Sequence, residues 1–286
     1  MSNLPKSILY PVDFSRRCDA VTPAVAEMAA SLKVPVVLFY SMRLGGIDEA
    51  ALQKPPFERE AVRERFRHSL NLFPFPALPR LQREVADGPT AAEIVKRAER
   101  MDAPLIMMPT RGHTRFRQLL LGSVTAAVLH DAPGPVWTEA HTADDGSPPG
   151  VPHRAIVCAI DLGPQTATLL RMASAFSAHF GVPFHAVHWI PAVDARFRSR
   201  VADQAHEYLI FEARRKFPEH AAQAGGDMPL EIIQEHEVAA GVAGAIVRHG
   251  ADLLVIGRGV ILGTLGRLRT SAHELIRRSR CPVLSV

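Results

Sequence analysis

Two glycines and a serine that follow a predicted strand are the residues best suited to chemistry in this 286-residue chain. The apolar run 105–108 predicts a buried strand, and Gly112 lies in the loop after it. Gly122 and Ser123 open a helix predicted over 124–129. A helix N-terminus presents unpaired N–H groups and positive dipole charge, and glycine lets an anion approach the backbone. The stretch predicts an anion cradle; the alternative is an ordinary turn with serine as the N-cap.

A carboxylate stands at the end of another predicted strand. Asp13 follows the apolar run 7–12 and precedes a helix predicted over 17–32. Ligands of open α/β sheets bind beyond the carboxyl ends of parallel strands, so Asp13 and the Gly112 loop are predicted to face one crevice. The alternative is that Asp13 is only a turn or N-cap residue of the following helix.

The elements that position these residues occur twice. Three landmarks of the first half recur at one offset, 148 residues later, which indicates two domains of one plan. The matches are Ser7–Asp13 with Ala155–Asp161, Val34–Pro35 with Val182–Pro183, and Leu105–Met108 with Leu253–Ile256.

Each copy alternates strands with helices. This pattern predicts right-handed crossovers and two tandem doubly wound α/β domains, each a Rossmann-like, five-stranded, mainly parallel sheet with helices on both faces. The domains are predicted at 1–140 and 153–286, joined by a polar, Pro- and Gly-rich linker at 141–152. Strands are predicted near 7–12, 36–40, 81–86, 105–108 and 135–139, and again near 155–160, 183–189, 229–235, 252–257 and 282–286; long helical segments include 59–70 and 197–217.

Composition limits the classes of partner. The net charge is +4, but the arginines are scattered, so no specific nucleic-acid surface is predicted. No apolar run approaches the roughly 20 residues of a membrane span, so no membrane partner is expected. The three widely spaced cysteines favour a reducing, cytoplasmic setting, and the first residues do not look like a signal peptide. No histidine or cysteine set has metal-ligand spacing, so no metal site is predicted.

The aspartate and the glycine loop together resemble the universal stress protein family, over the whole chain as a tandem pair. The family closes its first strand with aspartate and follows its fourth with G-x2-G-x9-G-(S/T); this chain has Asp13 and then Pro109-x2-Gly112-x9-Gly122-Ser123. The resemblance implies an ATP-binding crevice, with Mg²⁺ accompanying the nucleotide. It implies adenine contacts from Pro11, Val12 and Asp13, and a phosphate cradle containing Met108, Pro109, Gly112, Gly122, Ser123 and Val124, to which Arg111 adds positive charge.

Pro109 departs from the family pattern, which has glycine at this position. Proline has no N–H and fixes φ near −65°. If the site needs an amide contact or a positive φ there, nucleotide binding is weakened; if only the carbonyl matters, binding survives.

The second copy departs further. It keeps Asp161, and the offset of 148 places Gly257, Val260, Thr270 and Ser271 at the motif positions. Two of the three glycines are therefore replaced. A second, degenerate nucleotide site at Asp161, Gly257, Arg258, Thr270 and Ser271 is the expectation, with a domain kept only for pairing with the first as the alternative.

These features favour a stress-response module that binds an adenine nucleotide and acts through a change of conformation or partner. Two alternatives remain open: a structural or interaction protein whose crevices are closed by Pro109 and Val260, and a slow ATPase, for which no catalytic residue stands out. The two copies imply an intramolecular pair through the last strands, which contain 135–137 and 282–284, and a homodimer of the whole chain is possible.

Overall fold

The computed structural model describes residues 4–42, 56–102, 104–111, 121–140, 154–194, 196, 199–226, 228–258 and 267–286, with the backbone alone at 56–59 and 267–271. The chain forms two compact units, which contain residues 5–139 and 154–286. The predicted linker lies outside the described residues.

The first unit alternates strands and helices from its first element to its last. Its elements are β1 Ser7–Pro11, α1 Arg16–Leu32, β2 Val36–Met42, α2 Pro56–Leu72, β3 Leu81–Asp87, α3 Thr90–Glu99, β4 Pro104–Met108, α4 Ser123–Asp131 and β5 Val136–Thr138.

The second unit repeats this order. Its elements are β6 Ile156–Ile160, α5 Thr166–Phe180, β7 Phe184–Pro191, α6 Arg200–Ala224, β8 Leu230–Glu235, α7 Val238–Arg248, β9 Leu253–Ile256, α8 Arg267–Arg278 and β10 Val283–Ser285.

Each unit has a parallel five-stranded sheet. The strand order is β3-β2-β1-β4-β5 in the first unit and β8-β7-β6-β9-β10 in the second. The chain runs outward from β1 to β3 and then crosses back to β4, so the order reverses between β1 and β4. Such a reversal opens a crevice at the carboxyl ends of the two strands. The predicted fold class is confirmed.

The central strands are apolar because helices cover both faces of each sheet. Every residue of β1 and β4 is buried. One face of α1 carries an apolar stripe, buried at Val21, Val25 and Met28, each 0% exposed. The matching stripe of α5 is buried at Leu169, Ala173 and Phe176.

Several helix boundaries differ from the predictions, among them those of α2, α4 and α6. Helix α4 begins at Ser123, one residue earlier than predicted, and ends at Asp131. The long helix predicted to stop at 217 instead continues through Pro218 to Ala224 as α6. Proline usually ends a helix because it lacks an N–H, but packing of Phe217 and Ala221 on either side of Pro218 continues the helix here.

Within the described residues, none of the helices has both the length and the apolar character that a bilayer crossing requires.

Candidate functional site

Asp13 lies just beyond β1 in a turn that fixes its carboxylate. Its Oδ1 atom accepts the N–H of Ser15 at 2.9 Å and the thiol of Cys18 at 3.0 Å. Phe14, between them, has a φ of 59°, a left-handed conformation that reverses the chain. Ser15 then caps α1 by accepting the N–H of Cys18. The half-buried aspartate is therefore held at the carboxyl edge by the start of the following helix.

The Cys18 thiol is a neutral donor in this arrangement. It is 1% exposed, and burial together with the negative charge of Asp13 raises the pKa of Cys18 to about 12. A protonated thiol can donate to the carboxylate, whereas a thiolate would repel it. The helix-start position therefore gives Cys18 a hydrogen-bonding role and no enhanced nucleophilicity.

The second part of the site is the junction between β4 and α4. The N–H of Gly122 donates to the carbonyl of Thr110 at 2.9 Å, and the Thr125 hydroxyl donates to the carbonyl of Pro109 at 3.1 Å. These two bonds tie the first turn of α4 to the chain leaving β4. A Cβ on Gly122 would lie 3.4 Å from the Arg111 Cα, so the approach of the two segments is close.

Gly122, and not Ser123, is the N-cap of α4. Its φ and ψ are −60° and 145°, and Ser123 is the first helical residue and is exposed. Among the described residues, no side chain caps this helix, and its first turn holds no acidic residue. The first turn of α4 therefore carries the partial positive charge of a helix N-terminus, with no acidic residue in that turn to offset it.

Pro109 follows β4 directly and is buried. It is not among the described non-glycine residues with positive φ, which are Phe14, Lys33 and Leu162. Its carbonyl accepts the Thr125 hydroxyl, as noted above. The backbone at this position therefore has a conformation that proline adopts without strain.

Glu139 is a residue of this edge that the sequence analysis did not identify. It follows β5, is 7% exposed, and accepts a hydrogen bond from Arg17 at 3.0 Å. The N–H of Thr110 and the charge of Arg111 also favour its ionised form, but burial outweighs them and raises the pKa of Glu139. A glutamate at the end of the last predicted strand, 135–139, was the available signal; that strand was predicted without a role for Glu139.

A group of aromatic rings was also missed. Tyr40 near the end of β2 packs 4.9 Å from Phe14 and 4.7 Å from Phe66, measured between ring centroids. Burial, followed by the charge of Asp13, raises the pKa of Tyr40. The rings therefore form an apolar cluster near the Asp13 carboxylate, with Phe14 tilted by 43° against Tyr40.

The second unit repeats the aspartate turn. Asp161 follows β6, and its Oδ1 atom accepts the N–H of Gly163 at 2.8 Å and the Thr166 hydroxyl at 3.5 Å. Leu162 has a φ of 58°, as Phe14 has in the first unit. Thr166 is 148 residues after Cys18, so a hydroxyl takes the place of the thiol as the donor to the carboxylate. The two units thus share a backbone turn as well as an aspartate.

The β9 end of the second unit differs from the β4 end of the first. Gly257 packs against α5, because a Cβ there would lie 3.3 Å from Leu169 Cδ1. The N–H of Arg258 donates to the main-chain oxygen of Val286, and burial lowers the pKa of Arg258. Thr270 and Ser271 are the fourth and fifth residues of α8, which begins at Arg267. Their N–H groups therefore lie within the helix and not at its open first turn.

The model of the universal stress protein family matches residues 5–138 and, a second time, residues 152–286.

The chain belongs to the universal stress protein family.

Solved structures agree on the fold of both halves. A protein of unknown function from Pseudomonas aeruginosa PAO1 is 15% identical, with a TM-score of 0.62 over 100% of this chain and 93% of its own. A universal stress protein from Archaeoglobus fulgidus DSM 4304 is 20% identical, with a TM-score of 0.61 over 98% of this chain and 95% of its own. No curated protein sequence matches the chain.

In this universal stress protein, the predicted first-site residues lie at one sheet edge. Pro11 ends β1, Met108 ends β4, and Asp13 and Arg111 follow those two strands. Val12 extends the β1–β2 pairing by donating its N–H to Phe39 at 2.9 Å. Ser123 and Val124 open α4, whereas Gly112 lies outside the described residues.

Histidines of the second unit form a contact that their sequence spacing did not indicate. His185 stacks on His249 with ring centroids 3.8 Å apart, and His249 pairs with Glu231 at 2.6 Å. This cluster joins the start of β7 to the end of α7. Within the described ranges, no group of three or more His, Cys, Asp or Glu residues could hold a metal ion.

Proposed function

We propose that the first unit of this universal stress protein binds an adenine nucleotide, with ATP as the ligand. The observation that carries the proposal is the first turn of α4, which no described side chain caps. Its N-cap Gly122 donates to the carbonyl of Thr110, at the same sheet edge at which Asp13 follows β1. An anion site and a fixed carboxylate at neighbouring strands suit a ligand with phosphates at one end and hydrogen-bonding nitrogens at the other.

The adenine end is assigned to the β1 side of the crevice. The Asp13 carboxylate would accept from the exocyclic amine, beside the main chain of Pro11 and Val12. The aromatic surface of Tyr40 and Phe14 supports this placement, because a base gains stacking energy on such rings.

The phosphate end is assigned to the loop after β4 and the first turn of α4. Main-chain N–H groups at Gly122, Ser123 and Val124 would donate to phosphate oxygens, and Arg111 would offset part of their charge. Met108, Pro109 and Gly112 complete the proposed loop, and Mg²⁺ would accompany the triphosphate.

The proposed output is a change of conformation or partner, with no turnover of ATP. Glu139 is a buried carboxylate at this edge, but Arg17 and the Thr110 N–H already engage it. A general base needs a carboxylate directed at the attacking water, so Glu139 in this arrangement does not support hydrolysis.

The second unit is proposed as the weaker site. Asp161 is held as Asp13 is, but Thr270 and Ser271 lie beyond the open turn of α8, and Gly257 faces Leu169. We place the domains at 1–140 and 153–286, with a linker at 141–152, and assign the second chiefly to pairing with the first. The three buried free cysteines are consistent with a reducing, cytoplasmic location.

The proposal is tested on the purified full-length chain. Acid extraction should release adenine nucleotide that copurifies, and calorimetric titration with ATP should give saturable heat. If extraction yields no nucleotide and millimolar ATP produces neither heat nor a thermal shift, the interaction-protein alternative holds.

A further inference from the structure

A partly buried ion pair crosses the carboxyl edge of the first sheet. Arg17 belongs to the first turn of α1, and its Nη1 atom lies 3.0 Å from Oε1 of Glu139, which follows β5. Because β4 lies between β1 and β5 in the sheet, the pair spans the end of β4. At this end the chain leaves β4 and continues through Pro109 and Thr110.

Hydrogen bonds connect this pair to the first turn of α4. The carboxylate that accepts from Arg17 is also bonded to the N–H of Thr110. The carbonyl of Thr110 in turn accepts the N–H of Gly122 at 2.9 Å. The Arg17 guanidinium is therefore separated from the N-cap of α4 only by Glu139 and Thr110.

The charged groups around Glu139 favour the binding of an anion. Arg17 and Arg111 bring two positive charges to the single carboxylate of Glu139, and the open first turn of α4 adds partial positive charge. The side chain of Arg17 is 30% exposed while that of Glu139 is 9% exposed, so the guanidinium is the partner that solvent, and a ligand, can reach.

The second unit has different residues at the positions of Arg17 and Thr110. Gln165 lies 148 residues after Arg17 and directly precedes α5, so a neutral amide replaces the guanidinium. The N–H of Arg258, which corresponds to that of Thr110, donates to the main-chain oxygen of Val286 and not to a glutamate side chain. Within the part of the chain that the structure describes, this ion pair therefore occurs in the first unit, beside α4.

We propose that Arg17 is a phosphate-binding residue of the first unit, and that Glu139 holds its guanidinium at the cradle until a phosphate takes its place. The inference rests on the proposed function, because its ligand is the phosphate end of that nucleotide. A guanidinium donates paired, charge-assisted hydrogen bonds to phosphate oxygens. Arg17 would donate hydrogen bonds to the phosphates from the α1 side, and the N–H groups of α4 would donate to them from the opposite side.

The test is calorimetric titration of the full chain with ATP and with adenosine. Arg17→Gln copies the residue of the second unit, and Arg16→Gln is the matched control, since Arg16 is the exposed neighbour and loses the same charge. Arg17→Gln should weaken ATP binding about tenfold or more and leave adenosine binding unchanged. Arg16→Gln should change both affinities less than about twofold, as expected of an exposed, screened charge.

A second variant separates ligand binding from a structural role. Glu139→Gln keeps an oxygen acceptor for the Thr110 N–H but removes the negative charge that competes for Arg17, so ATP should bind several-fold more tightly. A purely structural pair predicts weaker ATP binding in this variant.

The outcomes distinguish the two proposals. If wild type binds ATP but Arg17→Gln matches Arg16→Gln, or loses adenosine affinity equally, the role of Arg17 is refuted and the nucleotide site stands. If wild type binds no ATP, both proposals fall together.

Discussion

Pro109 is the residue at which this chain departs from its family's glycine loop, and its surroundings show why proline is compatible with the fold. Its carbonyl accepts the Thr125 hydroxyl, and its φ is not positive. A proline needs neither an N–H nor a left-handed conformation to satisfy this position. The contribution of the residue to the site is therefore its carbonyl and its stiffness.

Pro109→Gly should accordingly cost stability and change nucleotide affinity little. Glycine adds conformational freedom to the unfolded chain, which lowers the free energy of unfolding by about 1 kcal/mol. Urea denaturation measures that loss, and ATP titration should give a dissociation constant within about threefold of wild type. A gain in affinity of tenfold or more would show instead that proline obstructs the site.

The cysteine thiols should be unreactive in the folded chain. All three are buried, and burial raises their pKa values, to about 12 for Cys18 and Cys158 and about 11 for Cys281. Iodoacetamide at pH 8 should therefore modify none of them without urea and all three in urea. Stoichiometric alkylation of Cys18 in the folded protein would contradict its role as a neutral donor to Asp13.

The same thiols give stability a defined dependence on alkaline pH. Unfolded thiols ionise near 9, whereas the folded ones hold their protons to about 11 or 12. The folded state thus binds more protons across this window, so the free energy of unfolding should fall as pH rises through it. Denaturation at pH 8 and pH 10.5, for wild type and Cys158→Ala, measures the effect; the variant should lose less stability over that interval.

Residue contacts were the part of the site that sequence could predict least. Asp13 could be predicted because a polar residue closing an apolar strand is a local signal. The Glu139 contacts could not, because Arg17, Thr110 and Glu139 lie far apart in sequence and meet only when β1, β4 and β5 are adjacent. The Cys18 thiol is similar: its partner depends on the left-handed turn at Phe14.

At the scale of elements, α4 is the helix on which the proposed anion site depends. Gly122 caps it without a side chain, and the first turn contains no acid. A Cβ on Gly122 would make contacts of 3.4 Å or longer, and its backbone angles suit any residue, so side chains are tolerated there. Stability of the helix and affinity for an anion can therefore be changed in opposite directions at one position.

Gly122→Asp should raise thermal stability and abolish ATP binding. Aspartate is a favourable N-cap and interacts well with the helix dipole, but relative to glycine the gain is only a few tenths of a kcal/mol. Its negative charge lies where phosphate is proposed to bind, so affinity should fall by more than about tenfold. Gly122→Asn is the matched neutral control and should gain similar stability with a much smaller loss of affinity. Equal affinities in the two variants would argue against an anion at this helix.

The boundaries of the elements show what apolar patterns and helix-ending residues such as proline can and cannot predict. Strands β1 and β4 were predicted well because buried parallel strands are continuous apolar runs. Helix α6 was predicted to end before Pro218, a local rule that the burial of Phe217 and Ala221 overrides. Tertiary packing is not visible in a single local window, so such boundaries are where predictions fail.

At the scale of the whole molecule, the two units have the same aspartate turn and the same strand order, and they differ at the carboxyl end of the fourth strand. Both hold an aspartate whose carboxylate accepts a hydrogen bond from a thiol or a hydroxyl. Among the described residues, Gly122 is the N-cap of α4, whereas Thr270, its counterpart 148 residues later, lies inside α8. The repeat of 148 residues made the shared architecture predictable. The difference between the units depends on where α4 and α8 begin, which the sequence offset alone did not establish.

ATP binding should consequently slow amide hydrogen exchange in the first unit and leave exchange in the second unit unchanged. At an ATP concentration 100 times the dissociation constant, binding stabilises the folded state by about 2.7 kcal/mol. Hydrogen exchange in first-unit segments should therefore slow by up to about 100-fold. Peptides covering 8–18 and 121–129 should show this protection, whereas their counterparts around 156–166 and 267–276 should not. Equal protection of both halves would mean that the second site is also occupied.

The most direct test of the nucleotide-binding claim is calorimetric titration of the full chain with ATP, comparing wild type with Asp13→Ala and Asp161→Ala. The two variants remove the same turn from equivalent places, so each controls for the structural loss in the other. We predict one ATP per chain in wild type, about a tenfold or greater loss of affinity in Asp13→Ala, and wild-type binding in Asp161→Ala. Absence of heat at millimolar ATP, or a loss confined to Asp161→Ala, would contradict the account.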